Sequence, residues 1–332
     1  MRTCVESVIS ENIVRLKTGT SRGDLRRAGS GCRAGFLQAF TSILLSTTSV
    51  VAVAQIQLRE PVHPATAGEV LERMRVSLAV NPPADTVDTI KAGDAATYVT
   101  GIATTFTPTL AVLRKAVAEG DNLIITHEPS FYDHRDNSGL FVDDPVYQEK
   151  VAYIRAHQLV LFRLHDSWHL RKPDGIAEGW VRKAGWESFR KPGEQFFFTL
   201  PPTTLDALAA SLQKTFGARV VRVVGDATMR VTNVAYAPGA SGEERQVRAL
   251  ERSDVQVLVA GESSEWETVE YARDAMLEGR HKALILLGHD TSEEIGMENC
   301  AVWLRTLFPG LRVTFIPAGE PYWLPGHSVA AP

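Results

Sequence analysis

The sequence predicts an α/β fold of two similar lobes, related by an approximate two-fold axis and facing each other across a shared cleft. Three observations lead there. Short apolar runs alternate with amphipathic helical stretches, the pattern of strand–helix units. The stretch His281 to Glu293 (HKALILLGHDTSE) is echoed without gaps by His157 to His169 (HQLVLFRLHDSWH), with His289 on His165, Asp290 on Asp166 and Glu293 on His169. Upstream of each lies a second match. Val99 to Pro129 runs strand, turn, helix, strand and ends in Thr126-His127-Glu128-Pro129, while Val234 to Ser263 has the same order and ends in Ala260-Gly261-Glu262-Ser263. Two copies are too few for a solenoid, so the repeat points to paired lobes.

In chain order, residues 1–54 read as an export signal. Arg-rich residues 1–35 precede an apolar stretch, Phe36 to Ala54, that ends in Ala52-Val53-Ala54, an A-x-A cleavage pattern. This predicts a periplasmic or secreted chain with no membrane attachment after cleavage. Arg26-Arg27 raises the twin-arginine route. Gln and several Ser/Thr interrupt the apolar stretch, which argues against a membrane anchor. Residues 55–65 form a Pro-containing linker.

Lobe 1 spans residues 66–192, with a closing strand from residues 305–330 returning to it, and lobe 2 spans 193–304. Thr66 caps a helix, TAGEVLERMRVSLA, that ends at Asn81-Pro82-Pro83. A strand over Thr97 to Thr104 and a helix over Pro108 to Ala118 come next. Asn122 to Thr126 has the apolar core of a buried parallel strand. The polar loop after it, reaching Asp144, is either a functional loop or a solvated lid. Pro145 to His157 is a helix, Leu159 to Leu164 a strand, and Asp174 to Ala184 a helix whose Gly175 and Gly179 allow close packing. Lobe 2 has strands at 195–200, 219–224, 231–236 and 255–260, helices at 204–216 and 265–277, and a long helix over His289 to Phe308. Gly239 to Glu243 reads as a plain strand-to-helix turn. A phosphate cradle is the weaker alternative, because its two Glu would repel an anion.

Composition is that of an ordinary soluble globular protein. Net charge is −4, and the first 54 residues carry seven Lys/Arg against three Asp/Glu, which leaves 28 basic and 36 acidic residues beyond them. So acidic a body argues against a nucleic-acid surface. Of Cys4, Cys32 and Cys300, only the last survives signal removal. It lies on the apolar side of a helical pattern and reads as a core residue. Trp168, Trp266 and Trp323 read as packing or subunit-contact residues.

The chemistry gathers at strand ends. A strand-to-helix junction brings side chains and free N–H groups into one crevice, and residues four apart on a helix face the same way. His289 and Glu293 therefore converge, offering the imidazole and carboxylate that a borderline divalent metal prefers. His127, His165 and His169 recur at or just past the ends of apolar strands. His157 and His281 begin strands, far from the crevice, and read as structural.

The blocks NLIITHEPSFY, LHDSWH, GESSE and GHDTSEEIG, in this order, resemble the Nif-three-like family of dinuclear-metal hexameric proteins, some of whose members are described as GTP cyclohydrolase I type 2. The resemblance covers roughly residues 66 to 320. It implies a metal site in the cleft holding two divalent ions (Zn, Fe, Mn or Ni), and a self-assembled oligomer, a hexamer. Where the family carries a His-His pair, this chain has His127-Glu128. Where it carries an Asp four residues past a His, this chain has His169 after His165. The two departures look like a swap. The implied ligands are His127, Glu128, His169, His289 and Glu293, with His165 as an alternative ligand. Glu293 matches the bridging position, His127 and His289 complete one metal, and Glu128 and His169 complete the other. Asp166, Asp290 and Glu262 are candidates to orient imidazoles, and Glu262 or Asp166 to act as general base. Two ions ~3.5–4 Å apart support hydrolysis. The expected function is hydrolysis of an unidentified small molecule. The alternatives are metal binding or storage without turnover, and a protein-interaction scaffold.

Overall fold

A computed structural model describes residues 65–325, and the expected export signal and nearly all of the linker lie outside the described residues. The strands fall into two five-stranded sheets. The first contains β1 (Ile90–Ala92), β2 (Ile102–Thr105), β3 (Leu123–Thr126), β4 (Val160–Arg163) and β10 (Val313–Phe315), in the order β1-β4-β3-β2-β10. All neighbours are parallel except β1, which runs antiparallel at the edge. The second contains β5 (Phe197–Thr204), β6 (Arg222–Val224), β7 (Arg230–Ala237), β8 (Val257–Ala260) and β9 (Ala283–Leu286), in the order β5-β7-β8-β9-β6. Its three central strands are parallel, and the two edge strands antiparallel.

The central strands are short apolar runs because both faces are covered. Every residue of β2, β3, β8 and β9 is buried, and alternate residues feed opposite sides of each sheet. In β3, Leu123 and Ile125 join one core while Ile124 joins another. In β8, Val257 and Val259 face one core while Leu258 and Ala260 face another.

Nine helices lie among the described residues. They are α1 (Ala67–Leu78), α2 (Leu110–Glu119), α3 (Pro145–Ala156), α4 (Asp166–Leu170), α5 (Gly175–Ala184), α6 (Leu205–Phe216), α7 (Glu243–Glu251), α8 (Glu270–Leu277) and α9 (His289–Leu307). Thr66 closes a capping box with Glu69 at the start of α1. Thr109, Asp144, Asp174 and Thr204 cap α2, α3, α5 and α6. No helix among the described residues is long and apolar enough to cross a membrane.

Helices α5 and α9 meet backbone to backbone. A Cβ on Gly179 would stand 2.7 Å from the Ile295 carbonyl oxygen, and one on Gly296 would stand 2.5 Å from Ile176 Cα. A Cβ on Gly175 would fall 2.1 Å from the buried Trp168 ring. Main-chain atoms cannot swing aside as a flexible side chain can. Gly296→Ala is therefore expected to push the two helices apart at a cost of at least about 1–3 kcal/mol, read as a lower urea midpoint with an unchanged slope. A midpoint equal to wild type would show that the helices separate freely.

Several elements differ from the sequence-based expectation. The strand placed over Thr97 to Thr104 starts only at Ile102, the one placed over 219–224 starts at Arg222, and the one placed over 195–200 extends to Thr204. The edge strand β1 has no counterpart in the sequence-based expectation, because three half-buried residues, IKA, show no period. Cys300 is fully buried, and burial raises its thiol pKa, as a core cysteine requires. Trp168 is buried, whereas Trp266 and Trp323 are exposed.

Candidate metal centre

Each candidate ligand sits just past the carboxyl end of a parallel strand, where open α/β sheets place their sites. His127 and Glu128 come directly after β3. His165 stands two residues beyond β4 and opens α4, and His169 lies one turn further on. His289 is the first residue of α9, with Glu293 one turn later. Gly288 makes the turn before α9 with φ +97°, a conformation glycine adopts without strain. Asp88 fixes the entry to α4 by accepting from the backbone N–H of His165 (2.7 Å), Asp166 (2.9 Å) and Ser167 (2.7 Å). Residues from both sheets thus meet at one cluster.

The imidazoles are oriented alike. His127 Nδ1 lies 3.2 Å from the Leu164 carbonyl oxygen, His165 Nδ1 lies 2.8 Å from Asp166 Oδ1, and His169 Nδ1 lies 2.9 Å from Asp174 Oδ2. Those oxygens can only accept, so each Nδ1 donates and each Nε2 keeps its lone pair, the tautomer a metal-binding histidine needs. The three rings are adjacent, with centroids 4.6–5.0 Å apart. The fourth, His289, has Nδ1 3.4 Å from Glu262 Oε1 and Nε2 between Glu293 Oε2 (3.0 Å) and Glu128 Oε1 (3.3 Å).

Glu293 is the buried hub. Its Oε2 lies 3.3 Å from His127 Nε2, and its Oε1 lies 3.9 Å from His169 Nε2. Burial works to raise its pKa, yet His127 and His289 hold it well below the usual carboxylate range. Burial likewise opposes ionisation of Glu128, but His289 and His127 bring it down to about 2. Burial would lower His289, and the carboxylates of Glu128, Glu262 and Glu293 instead push it up to about 12. His165 falls to about 4 through burial and its imidazole neighbours His127 and His169. His169 is raised, because Asp174 outweighs burial.

These residues suit a cation. His127 Nε2 is buried 3.3 Å from Glu293 Oε2 without a hydrogen-bond partner, so a cation held between them would give both atoms a partner. Gly239 leaves room beside the cluster, since a Cβ there would stand 2.3 Å from Glu293 Oε1 and 2.8 Å from His289 Nε2. Two groups offer ligand atoms all within 4.8 Å of one another: His127, His165 and His169, and His127, Glu128 and Glu293. Imidazole and carboxylate together form the donor set of a borderline divalent metal.

His127 and His289, expected on one metal, meet the same oxygen, Glu293 Oε2, at 3.3 and 3.0 Å, whereas the other expected pair stands apart. Glu128 and His169 fall in different groups, and Glu128 stands beside His289, the partner expected for His127. The cause is Arg163, a fully buried guanidinium at the end of β4 whose Nη2 holds Glu128 Oε2 at 3.1 Å. The cluster therefore has an imidazole-rich group, His127, His165 and His169, and a carboxylate-rich one, His127, Glu128 and Glu293. Asp290, expected to orient an imidazole, accepts instead from Thr291 and nearby backbone, and burial raises its pKa. The residue that orients His169 is Asp174, which the sequence analysis places only at the start of a helix. Asp166 and Glu262 do contact imidazoles, as expected. Gly239, read as part of a plain turn, lies against the hub carboxylate. The loop after His127 is tied down rather than free, because the side chain of Asp136 is nearly covered and meets Lys91 at 3.5 Å and Arg163 at 3.7 Å. His157 packs against Tyr153, tilted by 42° with ring centroids 4.3 Å apart, outside the cluster.

The fold and the cluster define a mixed α/β protein of two sheets with candidate metal ligands drawn from both. The Duf34/NIF3 (NGG1p interacting factor 3) family model matches residues 86–321, and the chain belongs to that family. Solved structures agree on the fold. A hypothetical protein of Staphylococcus aureus, SA1388, superposes with a TM-score of 0.62 at 15% identity, covering 79% of this chain and 100% of that one. A Bacillus cereus protein related to NIF3 gives 0.57 at 14%, covering 80% and 99%. Protein ybgI, of unknown function, gives 0.57 at 20%, covering 77% and 100%. Comparison with curated proteins found no match.

Proposed function

We propose that this chain binds two divalent metal ions at the cluster and hydrolyses a small molecule there. The observation that carries the reading is the gathering of four imidazoles on two carboxylates: His127 and His289 approach Glu293 Oε2 (3.3 and 3.0 Å), His169 approaches Glu293 Oε1 (3.9 Å), and His165 and His289 approach Glu128 Oε1 (3.8 and 3.3 Å). In this reading His127, His165 and His169 would hold one ion and Glu128, Glu293 and His289 the other, with His127 and Glu293 close enough to both groups to be shared. Two ions would supply Lewis acidity and clamp the oxygens of a displacement.

The chain's own groups do the rest. Asp166, Asp174 and the Leu164 carbonyl keep the three imidazoles in the ligating tautomer. Arg163 offsets the charge of Glu128 and fixes one of its oxygens, leaving Oε1 for the centre. Glu262, half exposed and beside His289, is the carboxylate free to take up and return a proton. Hydrogen bonding to His289 lowers its pKa, so it is in the basic form at neutral pH. Asp166 is less suited to that role, since Thr86 Oγ1 (2.7 Å), the Val87 N–H (3.3 Å) and His165 already occupy its oxygens.

Elemental analysis of the purified protein is expected to find about two divalent ions per chain. His289→Ala is expected to lose the ion on its side together with hydrolysis across a panel of phosphoesters and amides. Absence of metal from the wild-type protein would leave only the scaffold reading. A variant that kept both metal and turnover would end the hydrolase assignment.

A further inference from the structure

We propose that the cavity over this centre is built for a small molecule carrying an oxyanion, a phosphate or a carboxylate, gripped by Arg245 and Lys172. The inference rests on the metal-dependent reading above for its chemistry, but its own evidence is separate. A cavity of about 560 Å³ has His165, His169 and Glu293 in its lining, with Lys172, Arg245 and Phe196 also contributing. Lys172 comes from the segment after α4, and Arg245 from α7, so two cations reach the same space from different parts of the chain.

The acids of this cavity are already engaged. Glu128 takes Arg163, Asp166 takes His165 and Thr86, Asp174 takes His169 and the first N–H groups of α5, and Glu293 takes His127 and His289. Among the described residues, neither Lys172 nor Arg245 pairs with a carboxylate. Arg245 is nonetheless positioned, because its guanidinium lies over the Phe196 ring, 4.7 Å from the centroid. Stacking holds the plane and leaves the N–H edges free, the geometry that binds a planar or tetrahedral oxyanion through two parallel bonds. Lys172 adds a mobile point charge. Two unpaired cations above ligands that would hold further positive charge favour an anion over a neutral or cationic ligand.

The test uses inorganic phosphate, phenyl phosphate and benzoate, titrated calorimetrically into metal-free and metal-loaded full-length protein, with metal content measured separately. Either phenyl phosphate or benzoate is expected to bind the metal-free protein, and the tighter of the two names the head group. Arg245→Ala and Lys172→Ala are each expected to weaken that binding about tenfold, the scale of one charge-assisted hydrogen bond, with metal content and thermal midpoint unchanged. Arg245→Lys should recover only part of the loss. Binding of none of the three anions, or binding indifferent to both substitutions, would overturn the proposal while leaving the metal centre standing. Arg245-dependent anion binding by a protein that takes up no metal would sustain the subsite and defeat the metal-dependent reading.

Discussion

Glu293→Gln is expected to abolish metal uptake at both positions while leaving the chain folded. Glutamine keeps the volume and one carbonyl oxygen but removes the charge. The carboxylate lies 3.3 Å from His127 Nε2, 3.0 Å from His289 Nε2 and 3.9 Å from His169 Nε2, so it meets three of the four imidazoles. Residues that merely orient a ligand change metal affinity by roughly 10–100-fold. Loss of the shared ligand should exceed that at each position. Without metal, His289 still has Glu128 and Glu262 beside it, so a cooperative thermal transition should persist. The readout is the rise in melting temperature on adding zinc. Wild type at a free zinc concentration 100-fold above its dissociation constant gains about 2.7 kcal/mol, and the variant should gain nothing measurable. The effect carries a pH signature. Because the carboxylates push His289 up to about 12, metal must displace its proton, so wild-type affinity should rise with pH across the neutral range. An unaltered zinc-induced shift in Glu293→Gln would remove Glu293 from the centre.

How far the site is legible in the sequence depends on the range of each interaction. The apolar runs LIIT, VLFR and ALIL announce buried strands, and the residues just after each run land at a strand's carboxyl end. That rule alone places His127, His165 and His289, and helical spacing adds His169 and Glu293. Both signals are local, so they survive in one dimension. The supports are not local. Asp88 reaches the N–H of His165 from 77 residues away, and nothing in its own neighbourhood marks it. Asp174 satisfies the rule for a helix cap so well that its second bond, to His169, leaves no trace in the pattern. Gly239 looks like any turn glycine until the hub carboxylate is seen against it. Arg163 is hidden most completely. It occupies an apolar run, LFRL, where a charge is ordinarily read as facing water. Glu128 and His169 are visible in the chain as candidate ligands, but Glu128 reaches its place beside His289 with one oxygen held by that arginine.

Arg163→Met is accordingly expected to be among the most destabilising single changes in the chain. The guanidinium has no exposed surface. Its Nε donates to the His127 carbonyl oxygen at 3.0 Å, its Nη2 to Glu128 Oε2 at 3.1 Å, and its Nη1 to the His134 carbonyl oxygen, with Asp136 Oδ2 3.7 Å away. Methionine fills part of the space but takes the guanidinium from Glu128, from Asp136 (which keeps Lys91 at 3.5 Å) and from two carbonyl oxygens. Removing one member of a buried ion pair costs about 3–5 kcal/mol, because the other charge stays behind. The size of that cost should depend on what stays behind. Adding Glu128→Gln neutralises one orphaned carboxylate, so the double variant should recover part of the loss, with a coupling of about 0.5–3 kcal/mol in a double-mutant cycle by urea denaturation. Arg163→Lys keeps the charge but cannot reach three partners at fixed angles, and should fall between wild type and Arg163→Met. A loss below about 1 kcal/mol for Arg163→Met, or strict additivity with Glu128→Gln, would show that Glu128 holds its place without the arginine. The carboxylate-rich side of the centre would then need another explanation.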